Sequence, residues 1–169
     1  MSAFEPIRNK VAESDLVTID MSDWLNIKLV EVDLSAQLEQ GLILREKEYR
    51  DWIASNDWQS FSGSYVYLTC TTGAIIPNWA YMLVASALHG IAKGIVVGTA
   101  AEAKEKVLED AMAALNLEAL EGARVIVKGC GEIGPKAYTK LTLLLKSHVQ
   151  TLMFGEPCST VPVFKKARK

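Results

Sequence analysis

Residues 65–154 alternate short apolar runs with longer amphipathic segments, and this alternation limits the possible folds more than any other feature. Runs rich in β-branched and aromatic residues predict strands at Tyr65–Thr69, Gly94–Gly98, Arg124–Lys128 and Val149–Phe154. The segments between them predict helices at Asn78–His89, Ala100–Leu115 and Pro135–His148. Because strands that alternate with helices form βαβ crossovers, we predict an α/β fold. Its core is a mainly parallel sheet of at least four strands with helices on its faces.

The first 62 residues follow a different pattern. Leu16–Asp20 predicts a strand, Asn26–Leu34 alternates as a half-exposed strand does, and Arg45–Ala54 predicts a helix. No long linker separates this part from the rest of the chain. We therefore expect residues 1–62 to form an α+β segment packed on a parallel α/β core at 63–164, with a basic tail at 165–169.

Charge and hydropathy exclude several classes of protein. The net charge is −2, and four of the basic residues lie among the last five. Nucleic acid is therefore not an expected partner, because proteins that bind it gather a basic excess on one face. We expect no secretory signal, because the first twenty residues show no basic start followed by an apolar run. We also expect no membrane span, because Trp79–Leu88 is shorter than the roughly 20 apolar residues that one needs. We expect a soluble, cytoplasmic protein that makes no membrane contact. The sequence leaves open whether the protein forms a homo-oligomer.

The three cysteines all follow predicted strands. Cys70 comes directly after the first strand, Cys130 two residues after the third, and Cys158 four residues after the fourth. Ligands of parallel α/β sheets bind beyond the carboxyl ends of the strands. The prediction therefore places all three thiols at the carboxyl edge of one sheet, where they suit zinc or an iron–sulfur cluster.

A fourth position at such a metal is either filled by a nearby oxygen or open to a ligand. Glu132 and Glu156 each lie two residues from a cysteine, and Ser159 directly follows the last one. These three residues are the candidates for a fourth ligand or for hydrogen-bonding support of the site. An open position would take a small molecule or an anion, and it would allow metal-assisted chemistry.

Two other interpretations of the cysteines stay open. The close CxxC spacing that makes a metal prediction specific is absent. The thiols could therefore be structural residues of a non-enzymatic interaction module, since free cysteine behaves as a small apolar residue. They could also be reactive groups of a thiol redox protein, with Cys130 favoured because it precedes a helix N-terminus. The sequence does not decide whether the chain is an enzyme.

A glycine-rich loop surrounds the second cysteine. Gly129, Gly131 and Gly134 have the GxGxxG spacing of dinucleotide-binding loops, between a predicted strand and a predicted helix. The loop follows the third predicted strand rather than the first, and Pro135 comes directly after it. We therefore expect an anion, rather than a dinucleotide, at the free N–H groups of this helix start.

Four segments carry a resemblance to a known family: Gln40–Arg50, Pro77–Leu83, Lys128–Cys130 and Gly155–Pro162. Together they resemble a small bacterial family of uncharacterised proteins, described as a domain of unknown function, over nearly the whole chain. The resemblance implies that family members carry cysteines at the positions of Cys70, Cys130 and Cys158. It implies no activity, substrate or cofactor.

Overall fold

The computed structural model describes residues 16–167. The strands are β1 Leu16–Asp20, β2 Leu29–Asp33, β3 Leu38–Glu39, β4 Ile43–Leu44, β5 Tyr65–Thr69, β6 Gly94–Val97, β7 Arg124–Lys128, β8 Thr151–Glu156 and β9 Ser159–Lys165. The helices are α1 Met21–Trp24, α2 Glu46–Ser55, α3 Asn78–Leu88, α4 Ala100–Ala113 and α5 Pro135–Leu145. Short 3-10 helices lie at Leu34–Gln37, Trp58–Phe61 and Glu118–Leu120. The mainly parallel α/β class predicted from the sequence is confirmed.

The parallel strands are divided between two sheets. The four-stranded sheet has the order β1-β7-β8-β9, in which β9 alone runs antiparallel to its neighbour. The three-stranded sheet has the order β2-β5-β6 and is parallel throughout. β3 and β4 form a small antiparallel pair. The alternation of strands and helices indicated parallel pairing correctly, but it did not indicate which strands are neighbours.

The chain forms two compact units, each containing one of these sheets. Unit 2 is Leu25–Ala111, and unit 1 joins the described residues up to Trp24 with those from Met112 onward. The N-terminal segment is therefore shared between the units, because β1 enters the four-stranded sheet and β2 enters the three-stranded sheet. β1 and β2 are therefore members of the two sheets. The sequence had instead predicted an N-terminal segment that packs against the sheet.

The two units share one arrangement of strands. In unit 1, β1 lies beside β7, which continues through α5 to β8; in unit 2, β2 lies beside β5, which continues through α3 to β6. The leading strands also match in sequence, LVTIDMS against LVEVDLS at residues 16–22 and 29–35. Both end in an aspartate followed by a fully buried side chain, Met21 or Leu34. Unit 2 lies between β1 and β7 in the sequence, so a search for consecutive copies does not find this repeat.

The core of unit 1 explains why β7 is apolar at successive positions. Val125, Ile126 and Val127 are all buried, because β7 lies between β1 and β8 and both of its faces are covered. Leu141 and Leu145 of α5 are also fully buried, and their spacing of four residues places them on one face of the helix. Among residues 16–167, no helix has both the length and the apolar character needed to cross a bilayer.

The C-terminal hairpin was not predicted. β9 pairs with β8 across a turn at Pro157 and Cys158, so Lys165 is the last residue of a strand rather than the first of a tail. The backbone N–H of Lys166 donates to the carbonyl of Gln150 at 2.9 Å. The Gln150 side chain in turn donates to the carbonyl of Lys166 at 3.0 Å. The chain is therefore ordered by backbone pairing up to this point, which the basic composition of 165–169 does not reveal.

Candidate functional site

The three cysteines lie beyond strand ends, but on two different sheets. Cys70 follows β5 in unit 2, whereas Cys130 and Cys158 follow β7 and β8 in unit 1. The expectation of one shared sheet edge is therefore wrong, because β5 and β7 are not members of the same sheet. Within the described residues, no group of three or more His, Cys, Asp or Glu side chains could hold a metal ion. The predicted three-cysteine site thus has no support from the structure.

The three cysteines are free thiols that differ in exposure. Cys70 is half-buried, with its Sγ 3.5 Å from the Oγ1 of Thr72, and Cys130 and Cys158 are exposed free thiols. Of the candidate oxygen ligands, Glu132 lies in the exposed loop after β7 and Ser159 is the exposed first residue of β9. The third candidate, Glu156, belongs to a different cluster that is described below.

Close packing explains why glycine is needed at one of the three glycine positions in the glycine-rich loop. A Cβ added at Gly129 would lie 2.6 Å from the hydroxyl oxygen of Tyr138 and 3.0 Å from Cδ1 of Ile133. At Gly131 and Gly134 an added Cβ would meet no atom within 4 Å. The first glycine therefore lets α5 and its preceding loop approach the end of β7 closely. The other two leave open space beside the backbone.

Replacing Gly129 with alanine is expected to destabilise the protein by about 1–3 kcal/mol, the usual cost of overpacking. The reason is the collision with the Tyr138 hydroxyl, so Tyr138→Phe in the same chain should recover part of the loss. Gly131→Ala is the matched control, because its Cβ enters open space. Urea unfolding followed by circular dichroism measures all three variants. Equal losses for Gly129→Ala and Gly131→Ala would contradict this assignment.

A polar cluster lies at the carboxyl ends of β1, β7 and β8, and consists of Asp20, Lys128 and Glu156. Asp20 and Lys128 are direct partners in the strand register. The Nζ of Lys128 lies 3.1 Å from Oδ2 of Asp20 and 3.6 Å from Oε2 of Glu156. One ammonium is therefore shared by two carboxylates. The local charge does not favour an anion, although the adjoining helix start had suggested one.

Hydrogen bonds hold Asp20 in its ionised form. The backbone N–H of Ser22 donates to Oδ1 of Asp20 at 3.0 Å, and the Ser22 hydroxyl donates to the same oxygen. These bonds, together with the one from Lys128, hold the pKa of the Asp20 carboxyl below its usual range. The two carboxylates in turn raise the pKa of Lys128, Asp20 more than Glu156, so this lysine stays protonated.

Glu156 was singled out from the sequence for another role, and Asp20 and Lys128 were missed. The signal for both is a polar residue at the end of an apolar strand.

The equivalent aspartate of unit 2 is saturated by the protein itself. Oδ1 of Asp33 accepts the backbone N–H groups of Ser35 at 2.9 Å and of Thr71 at 3.2 Å. Oδ2 accepts the two hydroxyls, from Ser35 at 2.6 Å and from Thr71 at 2.5 Å. These bonds, the hydroxyls first, hold the pKa of Asp33 far below its usual range. Asp33 thus fastens the end of β2 to the loop after β5.

Two adjoining cavities lie in unit 1 between α5 and the β8–β9 hairpin, and we call them together the α5 groove. The larger measures about 420 Å³ and is lined by Pro135, Tyr138, Thr139, Thr142, Leu143 and Phe154. The smaller measures about 150 Å³ and is lined by Val127, Tyr138, Thr142, Leu152, Met153, Phe154 and Val163. They share the lining residues Tyr138, Thr142 and Phe154, so the two cavities adjoin on one side of the helix.

Tyr138 links the α5 groove to the polar cluster. Its ring meets the ring of Phe154 edge-on, with the centroids 5.4 Å apart. Burial raises the pKa of the Tyr138 hydroxyl, and the nearby Cys130 thiol and Asp20 carboxylate add smaller effects in the same direction. The groove is therefore mainly apolar, and its Tyr138 lies near the carboxyl edge of the sheet, which is the usual place for a ligand in this class of fold.

Comparison with known proteins identifies the family. A family model described as "Protein of unknown function (DUF2480)" matches residues 5–166. The chain belongs to this family. The resemblance seen in four sequence segments is thereby confirmed, and DUF2480 assigns no activity. Comparisons with curated proteins and with solved structures give no match.

Proposed function

We propose that this DUF2480 chain binds a small, largely apolar molecule in the α5 groove. The observation that carries the proposal is the pair of adjoining, mainly apolar cavities that share Tyr138, Thr142 and Phe154. The larger cavity, of about 420 Å³, lies within the range of roughly 300–1,000 Å³ that is typical of small-molecule sites. Aromatic and aliphatic side chains with a few polar groups at one end are also typical of such sites.

The repeat within the chain supports unit 1 as the binding unit. Both units place at the end of the leading strand an aspartate that uses both of its oxygens. Asp33 holds Ser35 and Thr71, and Asp20 holds Ser22 and Lys128. In unit 1 the corresponding edge has one lysine between two carboxylates, beside an open groove. The two edges therefore differ in Glu156, which is 61% exposed and lies 3.6 Å from Lys128.

A second copy of the chain is the alternative occupant of this face. Leu143, Phe154, Val161 and Val163 are large apolar residues, each more than two-fifths exposed, and such surfaces often mark interfaces. The open edge of β9 is a poor docking site, because Pro162 lacks an N–H group and the strand register shifts near it. Self-association would therefore use the apolar side chains, and measuring the molar mass in solution would reveal it.

Zinc or iron–sulfur binding stays a prediction from the sequence. Cys70, Cys130 and Cys158 would have to act without the shared sheet edge on which that prediction rested. Elemental analysis of protein purified without oxygen or chelator tests it directly. One zinc ion or one cluster per chain would support the prediction, and metal-free protein with three titrating thiols would contradict it.

Binding of a neutral apolar dye, Nile red, tests the proposed function. Leu143→Glu places a charge in the α5 groove at a position 70% exposed, so the fold should tolerate it. Leu42→Glu is a matched control at a position of unit 2 that is 68% exposed. We expect the first variant to weaken dye binding by about tenfold or more, since an ionised group is costly in an apolar site. The control should not change it.

The molar mass is measured on the same samples by light scattering. A wild-type chain that binds the dye as a monomer and loses it only in Leu143→Glu supports the proposal. A dimer that Leu143→Glu dissociates would instead support the second-copy alternative. Dye binding that is equal in all three proteins would overturn the α5 groove as the site.

A further inference from the structure

We propose that unit 1 docks on an anionic lipid bilayer through an exposed surface around α5, which we call the α5 face. The α5 face combines four exposed apolar side chains with three lysines: Leu143, Phe154, Val161 and Val163 with Lys136, Lys140 and Lys146. This inference goes beyond the proposed function, because docking uses the outer surface and needs no ligand in the α5 groove.

The basic residues of the protein are concentrated in the last part of the chain. Residues 122–169 contain nine Lys and Arg against two Glu, whereas residues 1–121 contain nine Lys and Arg against eighteen Asp and Glu. The net charge of −2 therefore conceals a strongly basic segment. Charge asymmetry of this kind indicates binding to a membrane or a nucleic acid. α5 belongs to the basic segment, and no Asp or Glu occurs between Pro135 and Lys146.

Lysines surround the most exposed apolar residue of α5. Leu143 is 70% exposed, and Lys140 and Lys146 each lie three residues from it. Lys146 follows the last residue of α5 but keeps helical backbone angles, with φ −54° and ψ −35°. Since residues three or four apart are neighbours on a helix surface, these two lysines flank Leu143. Lys136, two turns before Leu143, adds a third lysine to the same side of the helix.

The four apolar side chains form one connected surface. Leu143 and Phe154 line the larger cavity together, and Phe154 and Val163 line the smaller one. Val161 is the strand partner of Phe154, and direct partners in an antiparallel pair lie on the same face of a sheet. An apolar surface bordered by lysines is typical of protein segments that lie in the interface of a bilayer.

The carboxylates of this part of unit 1 lie outside α5. Glu132 is in the loop before the helix, and Glu121 contacts His148 after it, with 3.2 Å between Oε2 and Nδ1. Glu156 lies 3.6 Å from Lys128 at the carboxyl edge of the sheet. Along α5 itself the sum of side-chain charges is therefore positive.

An anionic bilayer fits this combination better than other large partners do. Its headgroups attract lysines, and its interior takes up apolar side chains. A second copy that used the same face about a two-fold axis would bring lysines close to lysines. A nucleic acid would neutralise the lysines, but its phosphates offer nothing to Leu143 or Val161. The expectation of no membrane contact rested on the absence of a spanning segment, which docking on the surface does not require.

Vesicle sedimentation tests the charge component of the proposal. One set of vesicles is phosphatidylcholine alone, and in the other about a third of the lipid is phosphatidylglycerol. We expect the full chain to bind the anionic vesicles about tenfold or more tightly, and added salt to weaken the binding. Lys146→Gln should weaken it about fivefold, the effect of one lysine near an anionic surface. Lys47→Gln is the matched control at an exposed lysine of unit 2 and should leave binding unchanged.

Val161→Thr tests the apolar component, because it replaces a methyl with a hydroxyl group and keeps the shape of the side chain. We expect severalfold weaker binding to the anionic vesicles, since the hydroxyl is costly to bury. Val97→Thr, at a strand position of unit 2 that is 59% exposed against 63% for Val161, is the control. Neither Val161 nor Lys146 lines the α5 groove, so both variants should bind Nile red normally when vesicles are absent.

The outcomes separate this inference from the proposed function. Failure to bind anionic vesicles would overturn the inference and leave the proposed function standing. Vesicle binding by a chain that does not bind Nile red would support the inference and contradict the proposed function. Equal losses in Lys146→Gln and Lys47→Gln would exclude the α5 face as the docking surface. A fluorescent single-stranded RNA that binds more tightly than the vesicles, with no effect of Val161→Thr, would replace the bilayer by a nucleic acid.

Discussion

Replacing Gly155 with alanine is expected to destabilise unit 1 by about 2–4 kcal/mol, through backbone strain and overpacking together. Gly155 has φ +116°, a conformation that side chains rarely allow. An added Cβ would lie 2.7 Å from the backbone carbonyl oxygen of Ser159. That oxygen belongs to β9, which is paired with β8 on both sides of this point, so the backbone cannot move away. The β8–β9 hairpin should loosen, and the α5 groove should lose one of its walls.

Gly122→Ala separates the two contributions. Gly122 also has a positive φ, of +71°, but an added Cβ would meet no atom within 4 Å. Its replacement should therefore cost only the strain, about 1 kcal/mol. Urea unfolding followed by circular dichroism compares the two variants, and Nile red binding shows whether the groove is affected. Similar losses of stability in both would contradict the proposed collision with β9.

Replacing Tyr49 with alanine is expected to destabilise unit 2 by about 3–5 kcal/mol, the range found for large aromatic residues in cores. Tyr49 is 1% exposed and lies in the core cluster of unit 2. Its ring centroid is 5.2 Å from that of Trp52 and 5.8 Å from that of Trp79. The truncation therefore leaves a cavity between two tryptophans and removes the ring contacts as well.

Tyr49→Phe separates the hydrogen bond from the packing. The Tyr49 hydroxyl donates to the backbone carbonyl of Ala80 at 3.0 Å, and burial raises the pKa of this hydroxyl to about 12. Losing this bond should cost about 0.5–1.5 kcal/mol, with the ring kept in place. Tryptophan fluorescence during urea unfolding measures both variants, because Trp52 and Trp79 contact the ring. A loss for Tyr49→Phe as large as that for Tyr49→Ala would show that packing is not the main contribution.

Local structure followed closely from the sequence. The predicted bounds of β1, β5 and β7 are those observed, and Pro135 correctly marked a helix start. These signals are local: the spacing of apolar residues, the fixed φ of proline and the freedom of glycine decide them within a few residues. β9 escaped prediction because its pattern lacks a buried face, since Val161, Pro162 and Val163 are all exposed.

The candidate site was predicted only in part. Gly129 and Glu156 were singled out, but for an anion loop and a metal ligand, and the shared Lys128 was not noticed. Its partner Asp20 lies more than a hundred positions away in the sequence, and strand register alone brings the two together. The α5 groove was not predicted at all, because a cavity depends on how α5, β8 and β9 pack.

The sequence by itself determined the α/β class, most of its helices and strands, and membership of a family of unknown function. Only the tertiary structure decided that β1 pairs with β7 and β2 with β5, and so divided the strands between two sheets. The physical reason is that hydrophobic periodicity shows which face of a strand is buried but does not identify the neighbouring strand. The same division separated Cys70 from the sheet of Cys130 and Cys158, and it brought Asp20, Lys128 and Glu156 to one edge.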